Sequence, residues 1–294
     1  MYQIIKVPYD FGAPTKGTDK GPIKMISALK EKYPPLIENI IEITVPKLKP
    51  VHKTGMYEKA KNLPQVKKIC ADLKQNVKEV LRSGKTPLIL HGDDSAVAGI
   101  SYGIYSAIDE PFGIIYFDSH GDLNTPETSP SGCFYGMGLA HVLGYGHPEI
   151  LALNNNEPAV NEENLVLIGT RDLDPGEMDL IREKQITTYS PQEIRERYDA
   201  ILSEIKNKFK EKGIRQLYLH FDQDVVDPSQ SGATLYPEPG GLYKKELYGI
   251  AEFLKDNFDI IAVSISNYLP EKDKEEKTLN VILGTLGKLG FIRD

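Results

Sequence analysis

Short apolar or β-branched runs alternate along the chain with longer stretches of helical periodicity, the pattern of repeated strand–helix–strand units. The runs predict strands over 2–7, 40–45, 87–91, 113–118, 165–169, 186–189, 216–221 and 259–266. The helical stretches predict helices over 22–32, 64–83, 95–108, 175–184, 191–212, 244–256 and 278–288, several opened by Ser, Thr, Asp or Pro. Such alternation implies a three-layer α/β/α fold around a mostly parallel eight-stranded sheet, with helices on both faces. Two loops, 119–133 and 225–243, are long, rich in Gly, Pro, Ser and Thr, and each follows a strong strand. Ligands in open α/β sheets bind beyond the carboxyl ends of strands, so these loops mark the expected site.

No repeat, low-complexity tract or linker divides the 294 residues, and one domain over 1–294 is the expectation. With 40% hydrophobic and 26% charged residues the chain can bury a core. A net charge of −7 argues against a nucleic acid or an anionic membrane surface as partner. Cys70 and Cys133 fit neither a disulfide framework nor a Cys-x-x-Cys metal site, and no run of about 18 apolar residues is present. A cytoplasmic protein acting on a small molecule is therefore expected.

The strand at 113–118 runs into Asp118-Ser119-His120-Gly121-Asp122, three potential metal ligands in five residues. If the backbone stays extended, the period of two sends Asp118, His120 and Asp122 to one side. The strand at 216–221 ends in Asp222-Gln223-Asp224, spaced in the same way. Four carboxylates gathered without cations would repel one another, and a pair of divalent ions relieves that repulsion. Isolated loop aspartates more often cap turns, but two such strand ends in one chain favour metal.

These segments resemble the Asp-Ala-His-x-Asp and Phe-Asp-x-Asp-x-x-Asp-Pro signatures of the ureohydrolase superfamily, the arginases, agmatinases and formiminoglutamases. The likeness spans nearly the whole chain. Gly17 to Pro22, Ile168-Gly169-Thr170-Arg171-Asp172, Pro239-Gly240-Gly241-Leu242, and Pro270 to Asp273 followed by Thr278 also resemble family segments. The resemblance implies two manganese ions, with Asp118 and Asp222 bridging them, Asp122 on the first, and His120 and Asp224 on the second. It implies hydrolysis of a guanidinium or formimino carbon, and trimers or hexamers.

Three positions depart from the family pattern. Asp94, in His91-Gly92-Asp93-Asp94-Ser95, stands where the family has a His ligand to the first metal. A carboxylate there can still bind manganese or magnesium but adds negative charge. Tyr135 stands where the family carries a proton-transferring His, and Asn267 where it commonly has a Glu that binds guanidinium. The resulting expectation is a divergent ureohydrolase-like enzyme with metal ligands Asp94, Asp118, His120, Asp122, Asp222 and Asp224. Asp122, Tyr135 and Asn267 are its candidate catalytic residues. Its substrate would be a linear amidine or guanidino compound other than arginine. A catalytically silent metal-binding scaffold and a deacetylase-type amidohydrolase are the alternatives. His220, two before Asp222 on the same strand face, can reach the site but reads rather as a core histidine or one that supports a ligand. His91 either replaces the lost ligand or hydrogen-bonds to backbone. His141 reads as a surface histidine, and Arg171 and Asp172 as an ion pair.

Overall fold

The computed structural model describes residues 1–37, 39–46 and 58–292. All eight expected strands form, and every pairing among them is parallel. They are β1 (Tyr2–Val7), β2 (Ile40–Glu42), β3 (Thr86–His91), β4 (Phe112–Phe117), β5 (Leu165–Ile168), β6 (Thr187–Tyr189), β7 (Gln216–Asp222) and β8 (Asp259–Ser266). Their order in the sheet is β2-β1-β3-β8-β7-β4-β5-β6. The central strands β3, β8, β7 and β4 are nearly continuous apolar runs, as burial on both faces requires.

Alternate residues of these strands feed two separate cores. Leu88, Leu90, Ile115, Phe117, Leu217 and Leu219 face one side, packed with the helices α1 (Lys20–Lys32), α7 (Pro191–Glu211), α8 (Lys244–Asn257) and α9 (Lys277–Lys288). Ile89, Ile114, Tyr116 and Tyr218 face the other, against α2 (Leu63–Arg82) and α3 (Val97–Tyr105). The sheet is thus covered on both faces, and the three-layer architecture is as expected.

One expected helix is shorter than its pattern. The helix foreseen over 95–108 is a 3-10 turn, Asp94–Ala96, followed by α3. Asp93 causes this: its carboxylate accepts from Ser95 N at 3.1 Å and Ser95 Oγ at 2.5 Å, and it also receives Gly12 N at 2.9 Å, tying the turn to the loop after β1. Gly92 allows that loop to approach, since a Cβ there would stand 1.8 Å from Tyr9 O. The short helices α4 (Gly138–Val142) and α5 (Pro148–Leu151) had no periodic signal of their own, being too brief to show one. The intervening α6 (Pro175–Lys184) is opened by a capping box of Asp174 and Glu177.

Candidate metal centre

The carboxyl ends of β3, β8, β7 and β4 lie side by side, so the residues that leave them are neighbours before any loop is considered. The register sets Tyr116 beside His220 and His220 beside Ser264. It sets Asp222 beside Ser266 and Leu90 beside Ile265. Asp118 follows Tyr116 by two residues and Asp222 follows His220 by two, so both carboxylates project on the side of the sheet that carries α2 and α3.

Among the described residues three overlapping groups have ligand atoms within 4.8 Å of one another. The outer group is Asp118, His120 and Asp224. The middle one is Asp94, Asp118 and Asp222. The inner one is His91, Asp94 and His220. Asp94, Asp118, Asp222 and Asp224 are at most 1% exposed. The gathering of charge shows in their acidity. Burial, then the nearby Asp224, pushes both Asp118 and Asp222 well above the ordinary carboxylate range. Burial also opposes the charge of Asp224 and of His120, but each is outweighed by the other: Asp224 is held low and His120 high. His120 Nδ1 lies 3.3 Å from an oxygen of Asp118 and 3.3 Å from one of Asp224. A partly buried imidazole and buried carboxylates in this array offer the nitrogen and hard oxygen donors that divalent ions take. Among the described residues His91 Nε2 is buried with no hydrogen-bond partner, and the buried Asp94 carboxylate has only His220 Nε2, 3.0 Å from its Oδ1, as an ion-pair partner. A cation would satisfy these atoms, and the donor set fits a pair of divalent ions.

Asp122 stands apart from the three groups. Its Oδ2 accepts from the Tyr116 hydroxyl at 2.5 Å, and burial, then Asp118, pushes its carboxyl pKa well above the ordinary carboxylate range. The extended backbone expected through 118–122 ends before it: Asp122 has φ +51, in the left-handed region. Its carbonyl accepts from Leu139 N and Ala140 N at 3.0 Å each, which holds that conformation. Asn267 is left-handed too, with φ +57. Its amide nitrogen donates to the Tyr135 hydroxyl at 2.8 Å and to Asp222 and Asp224 at 2.9 Å, while its Oδ1 accepts from Leu235 N at 2.9 Å. Burial, then Asp222, raises the Tyr135 phenol well above its usual value, so it keeps its proton.

A cavity of about 350 Å³ opens over these groups, and His120, Asp122, Tyr135, Asp174, Glu177 and Tyr236 are among the residues lining it. Both long loops foreseen as the site contribute, through Ser129 and Ser131 on one and Tyr236 on the other.

Several expectations need correction. Of the two readings of His220, the structure favours the one beside the site: it is buried, and its Nε2 lies 3.0 Å from Asp94 Oδ1. The available signal was its position two before Asp222 on a strand. His141 is buried, not superficial: its Nδ1 pairs with Met137 O at 2.6 Å and its Nε2 accepts from His147 N at 2.9 Å. Arg171 makes no ion pair with Asp172. Its guanidinium donates to the carbonyls of Gly169, Asp224, Val225, Glu238 and Pro239, lacing the β7 loop to the β5 loop. Asp172 instead lies 3.6 Å from His120 Nε2.

Fold and site together define a three-layer α/β/α metallohydrolase with a binuclear metal-binding centre. Comparison with known proteins carries this further. The model of the Arginase family matches residues 1–289. An arginase of Bacillus caldovelox is 35% identical over 97% of this chain and 96% of its own length. One of Bacillus subtilis (strain 168) is 34% identical over 97% of both. The solved arginase of Bacillus caldovelox superposes with a TM-score of 0.90 at 34% identity, over 100% of this chain and 98% of that one. That of Bacillus cereus superposes with 0.88 at 31%, over 100% and 98%. The chain belongs to the arginase family, and it is a metal-dependent hydrolase acting on carbon–nitrogen bonds.

This full-length similarity to arginases, with the metal-ready groups in place, overturns the expectation of a divergent enzyme that avoids arginine, and with it the silent-scaffold and deacetylase alternatives. That expectation gave three substituted positions more weight than the rest of the chain. Among the described residues no helix is long and apolar enough to cross a membrane.

Proposed function

We propose that this protein hydrolyses the guanidino carbon–nitrogen bond of arginine. One observation carries the reading: the lining of the cavity over the metal groups includes Asn124, Ser129 and Ser131 together with Asp174 and Glu177. Carboxamide and hydroxyl groups can donate to a carboxylate, and acidic side chains can receive an ammonium. An α-amino acid head offers both, whereas agmatine lacks the carboxylate. Asn124 already donates to Asp174 at 2.8 Å, and Glu177 accepts Leu123 N and Asp174 N at 2.9 Å each, so these side chains are held in position before a substrate arrives.

With the head so placed, the guanidinium extends toward the carboxylates at the strand ends. Two divalent cations bound there supply Lewis acidity and lower the pKa of nearby water. Asp118, Asp222, His120, Asp224 and Asp94 would hold them, with Asp122 closing the set on the cavity side. Tyr135 contributes a hydrogen bond rather than a base, because its phenol is kept protonated. Asn267 orients Asp222 and Asp224 through its amide. Manganese suits the oxygen-rich donors, and a cytoplasmic homo-oligomer, trimer or hexamer, completes the reading.

The test is urea release by manganese-loaded protein from L-arginine and from agmatine at equal concentration. Urea from arginine and far less from agmatine is the expected result. No urea from arginine at any metal loading, with folded protein, would overturn the proposal.

A further inference from the structure

The inner group, His91, Asp94 and His220, differs in chemistry from the two groups outside it. The middle group is three carboxylates and the outer one is two carboxylates and an imidazole, whereas the inner one is two imidazoles and a carboxylate. All three inner residues are 0% exposed.

Their hydrogen bonds show which atoms are free. His91 Nδ1 lies 3.0 Å from the carbonyl of Asp93, which can only accept. The proton of a neutral His91 is therefore on Nδ1, and Nε2 presents a lone pair. His220 Nδ1 is 2.8 Å from Ser264 Oγ, and that hydroxyl also pairs with Tyr218 at 2.7 Å. Tyr116 stacks on the His220 ring with centroids 4.2 Å apart, fixing its plane. The two imidazoles stand 5.6 Å apart, with Asp94 Oδ1 3.0 Å from His220 Nε2. Among the described residues His91 Nε2 lacks a hydrogen-bond partner, and His220 Nε2 faces no acceptor other than Asp94. Partners that tie Nδ1 to a carbonyl or hydroxyl and leave Nε2 for an ion are what metal-binding histidines usually have.

We propose that His91, Asp94 and His220 form a two-histidine, one-carboxylate site for a nitrogen-preferring divalent ion of the zinc, cobalt or iron(II) class. Its neighbour, held by Asp118, His120, Asp222 and Asp224, takes manganese. The imidazole missing from position 94 is thus replaced by two from β3 and β7, and the centre is a mixed-metal pair. The proposal rests on the reading that the cluster binds two divalent ions. The competing state is a metal-free imidazolium–carboxylate pair between His220 and Asp94, which binds no ion.

Chelator-stripped protein would be offered one equivalent of zinc and a large excess of manganese, since zinc in excess displaces manganese from most sites. It would then be freed of unbound metal and its metal content counted. The expected result is one zinc and one manganese per chain. His91→Gln and His220→Gln should each lose the zinc and keep the manganese, with circular dichroism confirming the fold. X-ray absorption of zinc in the unsubstituted protein serves where a variant fails to fold, and should show two imidazole nitrogens on the metal. Manganese alone, zinc retained by both folded variants, or zinc bearing a single imidazole would overturn the inference while leaving the metal-dependent reading intact. Binding of neither metal would overturn both.

Discussion

The Asn267 amide nitrogen sits 2.9 Å from both carboxylate oxygens of Asp222, and it donates to Asp224 at the same distance. A neutral amide thus faces carboxylates that would otherwise repel one another, and its own oxygen is occupied by Leu235 N. Asn267→Ala would strand a buried backbone N–H and remove a donor from the cluster. Metal-free protein should lose about 1–3 kcal/mol in urea denaturation. An unchanged midpoint would show that the amide does not stabilise these carboxylates.

Asp118 belongs to two of the three metal groups, and Asp222 joins it in one. Asp118→Asn or Asp222→Asn should cut bound manganese to half or less by elemental analysis. Asp172→Asn is the control. Asp172 lies 3.6 Å from His120 but is 59% exposed and belongs to none of the groups, so its substitution should leave the content unchanged.

Without metal, stability should fall as pH rises from 7 to 9. Burial raises the folded pKa values of Asp118, Asp122 and Asp222, and that of Glu177 to about 7, and the neighbouring carboxylates raise His120 despite its burial. Each group binds more protons folded than unfolded, so each contributes stability that is lost as pH climbs through its folded value. His91 and His141, lowered to about 4 by burial, act in the opposite sense, but only below about 6.5, outside this window. Melting temperature of stripped protein at the two pH values checks the sign. Saturating manganese should abolish or reverse the trend, because metal competes with protons for the same carboxylates.

Arg171 joins five carbonyls from two loops, among them that of Asp224. A lysine keeps the charge but not the planar fork. Arg171→Lys should cost about 1–3 kcal/mol of stability through unsatisfied buried carbonyls. It should also weaken manganese binding by displacing Asp224. Denaturation and metal titration measure the two effects separately, and a loss of stability without any change in manganese affinity would show that the fork does not position the ligand.

The strand–helix alternation was enough to foresee eight strands, seven long helices and the three layers, because burying one face of each element imposes its period on the sequence. It was also enough to single out Asp118, Asp222 and Asp224, which the structure gathers, since carboxylates spaced by two at a strand end leave a local signature. The meeting of the inner histidines was not legible. His91 and His220 lie 129 residues apart and meet only because β3 and β7 both flank β8, an order that no local pattern encodes. Nor could spacing foresee the left-handed turn at Asp122, which is held by two amides of α4, or the five carbonyls that draw Arg171 away from Asp172. Periodicity and residue chemistry determined which elements form and which ends carry ligands. Strand order and register decided which of those ends became neighbours, because pairing across a parallel sheet is set by packing over the whole chain.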